Sequence, residues 1–316
     1  MLEGRDGEIS PFFQERKAML MKWISKKGAK QIMLYPALFL FLIYIVFPII
    51  ITLYYSFTDF SGIGKPNFVA TKNYATLLKD RIFINSVENT LIIIGMILLL
   101  IIPLSFLLAL LINKLTKGSS LVKALNFAPF VVAPILVGLI WYFILDPTIG
   151  LVNNLLSMLK LDSWKQEWIG GKNLTPYSVA FVYLWQVLGY YATIYLAGLK
   201  AIPTDIDEAA VIDGANRWQH IWYITIPMLK ETTIIVVILI ITGGFKIFET
   251  VQQLTGGGPN HLSDVLVTYM YHVTFTTSRY GYGMAIASVT AVFSLISTCA
   301  YLIISRKNMG KGGENE

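Results

Sequence analysis

Long apolar runs alternate with shorter polar segments along most of this chain. Six of the runs are long enough for a helix to cross the hydrocarbon core of a bilayer, which takes about 20 residues. Prolines inside some runs are compatible with spanning helices, because neighbouring groups satisfy the carbonyls that a proline frees. We therefore predict an all-α polytopic membrane protein. Its six transmembrane helices are expected at about Ile32–Phe57, Val87–Asn113, Leu121–Leu145, Tyr177–Lys200, Met228–Leu254 and Tyr282–Ser305.

The distribution of basic residues predicts the orientation of these helices. If the N-terminus lies inside, the inner segments contain 16 Lys and Arg residues and the outer segments contain 8. Since basic residues concentrate in the cytoplasmic segments of membrane proteins, both termini are expected in the cytoplasm. The chain then has a basic cytoplasmic segment at residues 1–31, a membrane domain at 32–305 and a cytoplasmic tail at 306–316.

The composition agrees with a membrane protein, since 55% of the residues are hydrophobic, 14% are charged and the mean hydropathy is +0.61. The net charge of +6 then indicates cytoplasmic loops rather than nucleic-acid binding. Cys299 is the only cysteine, which excludes a disulfide within the chain and a cysteine-based metal site. The first apolar run is too long for the core of a cleaved signal peptide, so we interpret it as a retained helix.

A polar segment at residues 203–227 separates the fourth and fifth apolar runs, and the charge bias places it in the cytoplasm. Gly214 permits a sharp bend, or the close approach of another backbone. A second short helix is expected after this bend, at Arg217–Tyr223. We predict a pair of short helices that contacts a partner. The alternative is a helix that lies on the lipid surface, for which Trp218 and Trp222 are suited.

Three residues separate the stretch Glu208-Ala-Ala from Gly214, and nine residues separate Gly214 from Ile224-Thr-Ile-Pro227. This spacing resembles the EAA loop in the permease subunits of binding-protein-dependent ABC importers, with Ile226 where the family has leucine. The resemblance implies a type I importer transmembrane domain whose loop contacts a separate ATPase. The residues that it implies for this contact are Glu208, Ala209, Ala210, Asp213, Gly214 and Trp218.

The sequence Thr255-Gly-Gly-Gly-Pro259 follows the fifth apolar run on the predicted outer side. By itself it indicates only a turn. It also looks like the TGGGP element of the sugar-importer permeases that are similar to the maltose and glycerol-phosphate systems, and this resemblance covers about residues 32–305. The resemblance implies that a solute-binding protein contacts the residues Gly256, Gly257, Gly258 and Pro259.

Polar side chains inside the membrane are costly in lipid, which makes them functional candidates. Tyr183, Gln186 and Tyr190 recur at helical spacing and form one polar, aromatic face of the fourth helix. Aromatic rings stack on sugars and amides bond sugar hydroxyls, so this face is a candidate substrate-binding surface. The resemblance places these residues at positions that line the sugar site in maltose-type permeases. The alternative is a set of polar contacts with a partner permease.

Gly244 and Glu249, in the fifth run, are further candidates for substrate binding. Gly244 allows close approach of a backbone or ligand, and the resemblance places it at a sugar-site position. Glu249 lies three residues after Lys246, which is the spacing of an ion pair on a helix. Two interpretations stay open, namely a structural ion pair, or contacts of Glu249 with sugar hydroxyls and of Lys246 with an acidic sugar.

The chain has no recognisable nucleotide-binding loop, since Gly62-Ile-Gly-Lys65 and Gly170-Gly-Lys172 lack the required spacing. We therefore expect a transport subunit without enzyme activity and without a cofactor, with ATP and Mg²⁺ bound by a partner ATPase. The resemblance implies three kinds of partner in a bacterial cytoplasmic membrane: a second homologous permease, two ATPase subunits and an extracytoplasmic solute-binding protein.

The predicted function is ATP-driven import of oligosaccharides or related sugars by alternating access. In one alternative, for which Lys246 is the sequence hint, the same machinery carries glycerol-phosphate or acidic oligosaccharides. In the other, the chain is an ion-coupled secondary transporter. Such folds often contain inverted repeats, but the two halves of this chain show no convincing repeat, and the polar segment 203–227 would have no role.

Overall fold

The computed structural model of the protein covers most of the chain. It describes Met19, Lys22 and residues 27–115, 117–171 and 173–310. The predicted basic segment 1–31 and tail 306–316 therefore fall largely outside the described residues. The chain divides into two compact units, Met1–Tyr55 and Ser56–Glu316. In both units the described secondary structure is helical, apart from one isolated β-bridge, and this confirms the predicted all-α class.

The first unit contributes one helix that is long and apolar enough to cross a membrane, Leu34–Tyr55, close to the predicted Ile32–Phe57. Pro48 lacks the N–H that would donate to the carbonyl of Tyr44, so the regular ladder of hydrogen bonds is interrupted there. The helix widens into a π turn just before this proline. The unit consists of α1 (Lys27–Phe41), the π turn (Leu42–Val46) and α2 (Phe47–Tyr55).

The second unit contains the remaining described helices. In chain order they are α3 (Lys72–Leu77), α4 (Arg81–Asn113), α5 (Ser119–Val131), α6 (Pro134–Leu145), α7 (Leu151–Met158), α8 (Thr175–Ala201), α9 (Thr204–Ile212), α10 (Arg217–His220), α11 (Ile226–Met228), α12 (Lys230–Gly244), α13 (Glu249–Leu254), α14 (Leu266–Tyr271) and α15 (Tyr280–Gly310). Two further π turns lie at Ile221–Thr225 and His272–Thr276, and a 3₁₀ turn lies at Asp162–Trp164.

Within the described residues, four helices can each cross a membrane by length and composition: the helix of the first unit, α4, α8 and α15. Two bent pairs, α5 with α6 and α10–α11 with α12, pass the same test only when each pair is taken together. The predicted number of six spans is therefore the upper value that the structure allows.

The predicted single helix Leu121–Leu145 is wrong, because the structure contains two helices bent by 91°. α5 ends at Val131, and Val132 and Ala133 are extended, with ψ of 133° and 131°. Pro134 is the first residue of α6, and its ring disfavours the helical conformation of the preceding residue. The proline therefore ends one helix and begins the next.

The predicted helix Met228–Leu254 is also interrupted. α12 ends at Gly244, and Phe248 adopts φ of −131° before the short helix α13 begins. The end of α12 coincides with the pair Gly243-Gly244, and glycine is the weakest helix former after proline. The start of this run differs too, since α10–α11 and α12 meet at an angle of 63°.

Two clusters of buried hydrophobic side chains hold the second unit together. The first lies where α8 packs along α4, with Ile97, Ile101 and Val182 fully buried. The second joins α4 to α12, α14 and α15 and includes Leu266 and Ile286. Because α4 belongs to both clusters, it positions α12 and the loop after α13.

Candidate coupling loop, outer loop and substrate face

The segment from α9 to α10, which we call the coupling hairpin, turns at Gly214. This glycine has φ of +76°, a left-handed conformation that side chains disfavour. The N–H of Gly214 donates to the carbonyl of Val211 at 3.1 Å, and the N–H of Ala215 donates to the carbonyl of Ala210 at 3.0 Å. These two bonds form a Schellman motif, which satisfies the last carbonyls of α9. The predicted bend at Gly214 is therefore present as a defined helix end.

The second helix of the hairpin begins with a capping box. The Asn216 side chain accepts from the N–H of Gln219 at 2.9 Å, and the Gln219 side chain accepts from the N–H of Asn216 at 2.8 Å. Such reciprocal bonds satisfy two N–H groups at a helix start. The spacing Asn-x-x-Gln is visible in the sequence and was missed there. It makes α10 begin at Arg217, as predicted, but the α-helix gives way to a π turn after His220.

His220 joins the two helices of the coupling hairpin. Its Nε2 lies 2.9 Å from Oδ1 of Asp207, in the first turn of α9, and its Nδ1 lies 3.2 Å from the hydroxyl of Thr225. Because Asp207 and His220 lie on either side of the bend at Gly214, their contact fixes the angle between α9 and α10. His220 therefore has a structural role in the hairpin.

Most residues predicted to contact the ATPase are exposed on the coupling hairpin. Glu208, Ala209, Asp213 and Gly214 are exposed, and the Trp218 side chain is 73% exposed. Ala210 differs from the prediction, since it is buried inside the hairpin, where its carbonyl closes the Schellman motif. Further exposed apolar side chains on the hairpin and its π turn are Val211, Ile212, Trp222 and Tyr223. An exposed apolar surface of this extent is typical of a contact with protein or lipid.

The loop after α13, which we call the outer loop, is a folded element. Gly256 and Gly257 have positive φ, and the peptide bond between Gly258 and Pro259 is cis. The Ser263 hydroxyl donates to the carbonyl of Gly258 at 2.6 Å, which closes the loop on itself. Of the four residues predicted to contact a binding protein, Gly256 and Pro259 are exposed, Gly258 is half-buried and Gly257 is buried.

A second set of hydrogen bonds fastens the outer loop to α4. The Asn89 side chain donates to the carbonyls of Leu262 and Asp264, at 2.8 and 2.9 Å, and the Thr90 hydroxyl accepts from the N–H of Leu266 at 3.1 Å. The Asp264 carboxylate lies 2.6 Å from Nδ1 of His261. The outer loop is therefore a fixed surface on the helix framework rather than a flexible linker.

Asp80, which the sequence analysis did not single out, connects three elements beside the outer loop. Its carboxylate caps α4 by accepting from the N–H groups of Ile82 and Phe83 at 2.9 and 3.3 Å. It also accepts from the hydroxyls of Tyr269 on α14, at 2.5 Å, and Tyr282 on α15, at 2.6 Å. Burial acts to raise the pKa of Asp80, but these hydrogen bonds outweigh it and lower the pKa below its ordinary value.

The predicted substrate face of α8 packs against the break between α5 and α6. The Gln186 amide donates to the carbonyl of Val132 at 3.1 Å, and its own buried oxygen has no hydrogen-bond partner among the described residues. The Tyr190 ring stacks on Phe130 with centroids 4.4 Å apart. The Tyr183 hydroxyl lies against Gly243, 3.1 Å from where a Cβ would be. All three side chains therefore contact their own chain in this conformation.

Gly244 and Glu249, the two other candidates for substrate binding, do not lie on the face of α8. A Cβ on Gly244 would lie 2.3 Å from the Ile94 side chain, so this glycine serves the close packing of α12 on α4 and offers no open surface to a substrate. Glu249 is exposed at the start of α13. The ion pairs among the described residues do not include Glu249 with Lys246. Because the helix is broken between them, the i, i+3 geometry of the structural pair does not form.

Helices that are long and apolar enough to span a membrane define the class of this protein as an integral membrane protein. The family model described as binding-protein-dependent transport system inner membrane component matches residues 91–309, and the chain belongs to this family. It is therefore a permease subunit of an ABC transporter rather than an enzyme, as the EAA-type spacing predicted.

Individual relatives align over nearly their whole length. The chain is 34% identical over 279 residues to a probable ABC transporter permease protein of Pyrococcus horikoshii, covering 87% of this chain and 94% of the relative. It is 32% identical over 291 residues to the arabinooligosaccharides transport system permease protein AraP of Bacillus subtilis, covering 91% and 92%. A bacterial ABC transporter involved in the import of the acidic polysaccharide alginate matches with a TM-score of 0.79 and 28% identity, covering 92% and 99% of the two chains.

Proposed function

We propose that this chain is one of two permeases in an ATP-driven importer that carries oligosaccharides or related sugars by alternating access. A second homologous permease, two ATPase subunits that bind ATP and Mg²⁺, and an extracytoplasmic solute-binding protein complete the transporter. The description of the family as binding-protein-dependent supports the last partner. The observation that carries the proposal is the coupling hairpin, whose internal bonds are satisfied while its apolar and acidic side chains are exposed.

The geometry of the hairpin suits the transmission of force from an ATPase. Glu208 offers a charged contact and Trp218 an apolar one, and both are exposed. The bond between Asp207 and His220 keeps α9 and α10 at a fixed angle. Movement of the docked ATPase would therefore shift the hairpin as one body, and α12 would follow because it continues from α11 after a single residue.

A bulky side chain at Gly214 tests this role. A Cβ at this position meets nothing within 4 Å, so Gly214→Phe adds no steric clash inside the chain and is expected to spare membrane insertion. Its only local cost is the backbone strain of a side chain at φ of +76°. It should obstruct a docked ATPase and abolish ATP-dependent uptake in the reconstituted transporter. The matched control is Gly118→Phe, because Gly118 has φ of +74° and equally open space. Loss of uptake in the control, or normal uptake in Gly214→Phe, would argue against a docking role for the hairpin.

The cargo is inferred from the relatives and from the face of α8. One relative is named for the transport of arabinooligosaccharides, and a similar solved structure is named for the import of the acidic polysaccharide alginate. Tyr183, Gln186 and Tyr190 provide two aromatic rings and an amide with an unsatisfied oxygen, which suit a sugar that enters when α5 and α6 move away. Glu249, exposed on α13, remains a candidate partner for sugar hydroxyls.

An acidic oligosaccharide is the second candidate cargo, and Lys246 is the observation that favours it. This lysine is exposed and forms no ion pair among the described residues. We expect Lys246→Gln to raise the KM for an acidic oligosaccharide by about tenfold without changing the KM for a neutral one. Lys65→Gln is the control for loss of one exposed positive charge. If both variants leave every KM unchanged, the cargo is not recognised through Lys246.

Dependence on ATP separates this proposal from an ion-coupled transporter. The reconstituted assembly should take up sugar when ATP is supplied and should be indifferent to a collapsed ion gradient. Uptake that survives ATP depletion but stops when the gradient is dissipated would favour a secondary transporter.

A further inference from the structure

A groove with a volume of about 790 Å³ lies between α4 and the segment from α10 to α12. This volume falls within the range of about 300–1,000 Å³ that small-molecule sites occupy. Its walls are mostly apolar and include Phe106 and Leu110 on α4 and Ile226 on α11. Of the polar groups that line it, the Tyr195 hydroxyl already donates to the hydroxyl of Thr233 at 3.2 Å. The interior of the groove therefore suits a hydrocarbon chain rather than a sugar.

Two basic side chains, Lys114 and Arg217, also line this groove. Lys114 follows the last residue of α4, and Arg217 is the first residue of α10. Neither forms an ion pair among the described residues. The acidic residues of the coupling hairpin do not line the groove. Positive charge is thus available at the end of α4, where a helix that spans the membrane would meet water.

Two tryptophans also line the groove, namely Trp222 and Trp218, and the proposed function gives Trp218 an ATPase contact as well. Tryptophan is enriched at the interface between membrane and water, where its ring lies among lipid headgroups. An apolar groove, interfacial aromatic rings and two cations together match the parts of a phospholipid that carries a net negative charge. Basic pockets between membrane helices on the cytoplasmic side bind the headgroups of such lipids.

We propose that this groove binds one anionic phospholipid of the inner leaflet, with its phosphate between Lys114 and Arg217 and an acyl chain along α4. The site goes beyond the transport function, since it needs neither a particular sugar nor a docked ATPase. A bound lipid would brace the start of α10 against α4. It would therefore hold the coupling hairpin close to the helix that also carries the outer loop.

The headgroup half of the proposal is tested by the lipids that the purified, full-length transporter retains. Native mass spectrometry in detergent should show phosphatidylglycerol retained in preference to phosphatidylcholine. The double variant Lys114→Gln/Arg217→Gln should weaken phosphatidylglycerol binding by roughly tenfold to thirtyfold. The control Lys117→Gln/Lys200→Gln removes the same charge from exposed residues outside the groove and should leave binding unchanged. Equal retention of both lipids, or equal loss in both double variants, overturns the proposal.

The part of the proposal that places an acyl chain in the groove is tested by filling the groove with a larger side chain. Leu107 lines it, so Leu107→Trp should lower phosphatidylglycerol retention several-fold, whereas Leu99→Trp, at an exposed position of α4 outside the groove, should not. Soluble glycerol-phosphate should fail to displace the lipid, because it lacks the chain that the groove holds. Displacement by glycerol-phosphate would overturn the proposal of a lipid site and would indicate a site for a free phosphate instead. A helix of another subunit filling the groove in an experimental structure of the transporter overturns it as well.

Discussion

At the scale of single residues, Asp80 concentrates more interactions than any predicted site residue. One carboxylate caps α4 and accepts hydrogen bonds from tyrosines on α14 and α15. Arg279 stacks over the Tyr282 ring at 4.5 Å, which adds a positive charge near the same group. Since these elements surround the outer loop, Asp80 stabilises the framework on which that loop is placed.

The variant Asp80→Asn tests this role. An amide can still accept from the helix N–H groups, but its NH₂ cannot accept from the hydroxyls of both Tyr269 and Tyr282. We expect the loss to lower stability by about 1–3 kcal/mol, as is typical for hydrogen bonds to a charged group. Thermal unfolding in detergent measures it. The control is Asp162→Asn, whose exposed ion pair with Lys165 should contribute little. Equal changes in unfolding temperature in the two variants would contradict this structural role of Asp80.

The same group predicts a dependence of stability on pH. The folded-state pKa of Asp80 is lowered, so its contribution is complete above the ordinary value of 3.8 and is lost as pH falls through the folded pKa. Burial and the hydrogen bond to Asp80 raise the pKa of Tyr269. The contribution of Tyr269 to stability is therefore complete below the ordinary tyrosine pKa of about 10 and is lost as pH rises through the folded-state pKa. The free energy of unfolding of the wild type should therefore fall in strong acid. In Asp80→Asn it should depend less on pH in the acid range.

At the scale of elements, the outer loop depends on one buried glycine. A Cβ at Gly257 would lie 2.1 Å from the Asp264 carboxylate, and φ is +80°. Gly257→Ala should therefore displace Asp264 and the bonds that fasten the loop to Asn89. Hydrogen exchange across residues 255–264 should rise by at least tenfold, which corresponds to the cost of about 1–3 kcal/mol for a conformation of this kind.

The neighbouring Gly256 supplies the matched control for this prediction. It too has positive φ, at +59°, but a Cβ there would meet its nearest atom, the carbonyl oxygen of Gln252, at 3.8 Å. Gly256→Ala should therefore suffer only the backbone cost and keep most of the protection. If the two variants exchange equally fast, the contact between Gly257 and Asp264 does not hold the loop.

Prolines show how far the elements could be predicted from sequence. Pro103 lies inside the continuous helix α4, whereas Pro134 separates two helices that meet at 91°. The local sequence allows either outcome, because membrane helices tolerate proline. Packing distinguishes them, since α6 lies against α13, where a Cβ on Gly138 would come within 2.8 Å of Gln253. That contact joins segments more than 100 residues apart, which no local pattern reveals.

The candidate site divides in the same way. The bend at Gly214 and the start of α10 depend on neighbours in sequence, and both were predicted at the residues where the structure has them. The bonds from Asn89 to the outer loop span 173 and 175 residues, and those from Tyr269 and Tyr282 to Asp80 span 189 and 202. Such contacts exist only after folding, and the sequence analysis accordingly missed Asp80 and gave Asn89 no role.

At the scale of the whole molecule, the orientation in the membrane remains a prediction, and several proposals depend on it. An inner coupling hairpin can meet an ATPase, and an inner groove can bind a lipid of the cytoplasmic leaflet. The evidence for it is electrostatic, because the predicted inner segments hold 16 Lys and Arg residues and the outer ones hold 8. Neither the hairpin geometry nor the outer loop identifies a side by itself.

Single cysteines read by a membrane-impermeant maleimide can determine the orientation. With Cys299→Ser as background, Lys65→Cys lies on the predicted outer side and Asp213→Cys on the hairpin, and both positions are exposed. In intact spheroplasts Lys65→Cys should react at once, whereas Asp213→Cys should react only after permeabilisation. The reverse pattern would place the hairpin outside the cell, where no ATP is available. The segments rich in Lys and Arg would then lie outside, contrary to their usual cytoplasmic location. Reaction of both from outside would indicate a chain that had not inserted. Uptake measured in Lys65→Cys, which leaves the coupling hairpin unchanged, distinguishes that failure from a functional inverted chain.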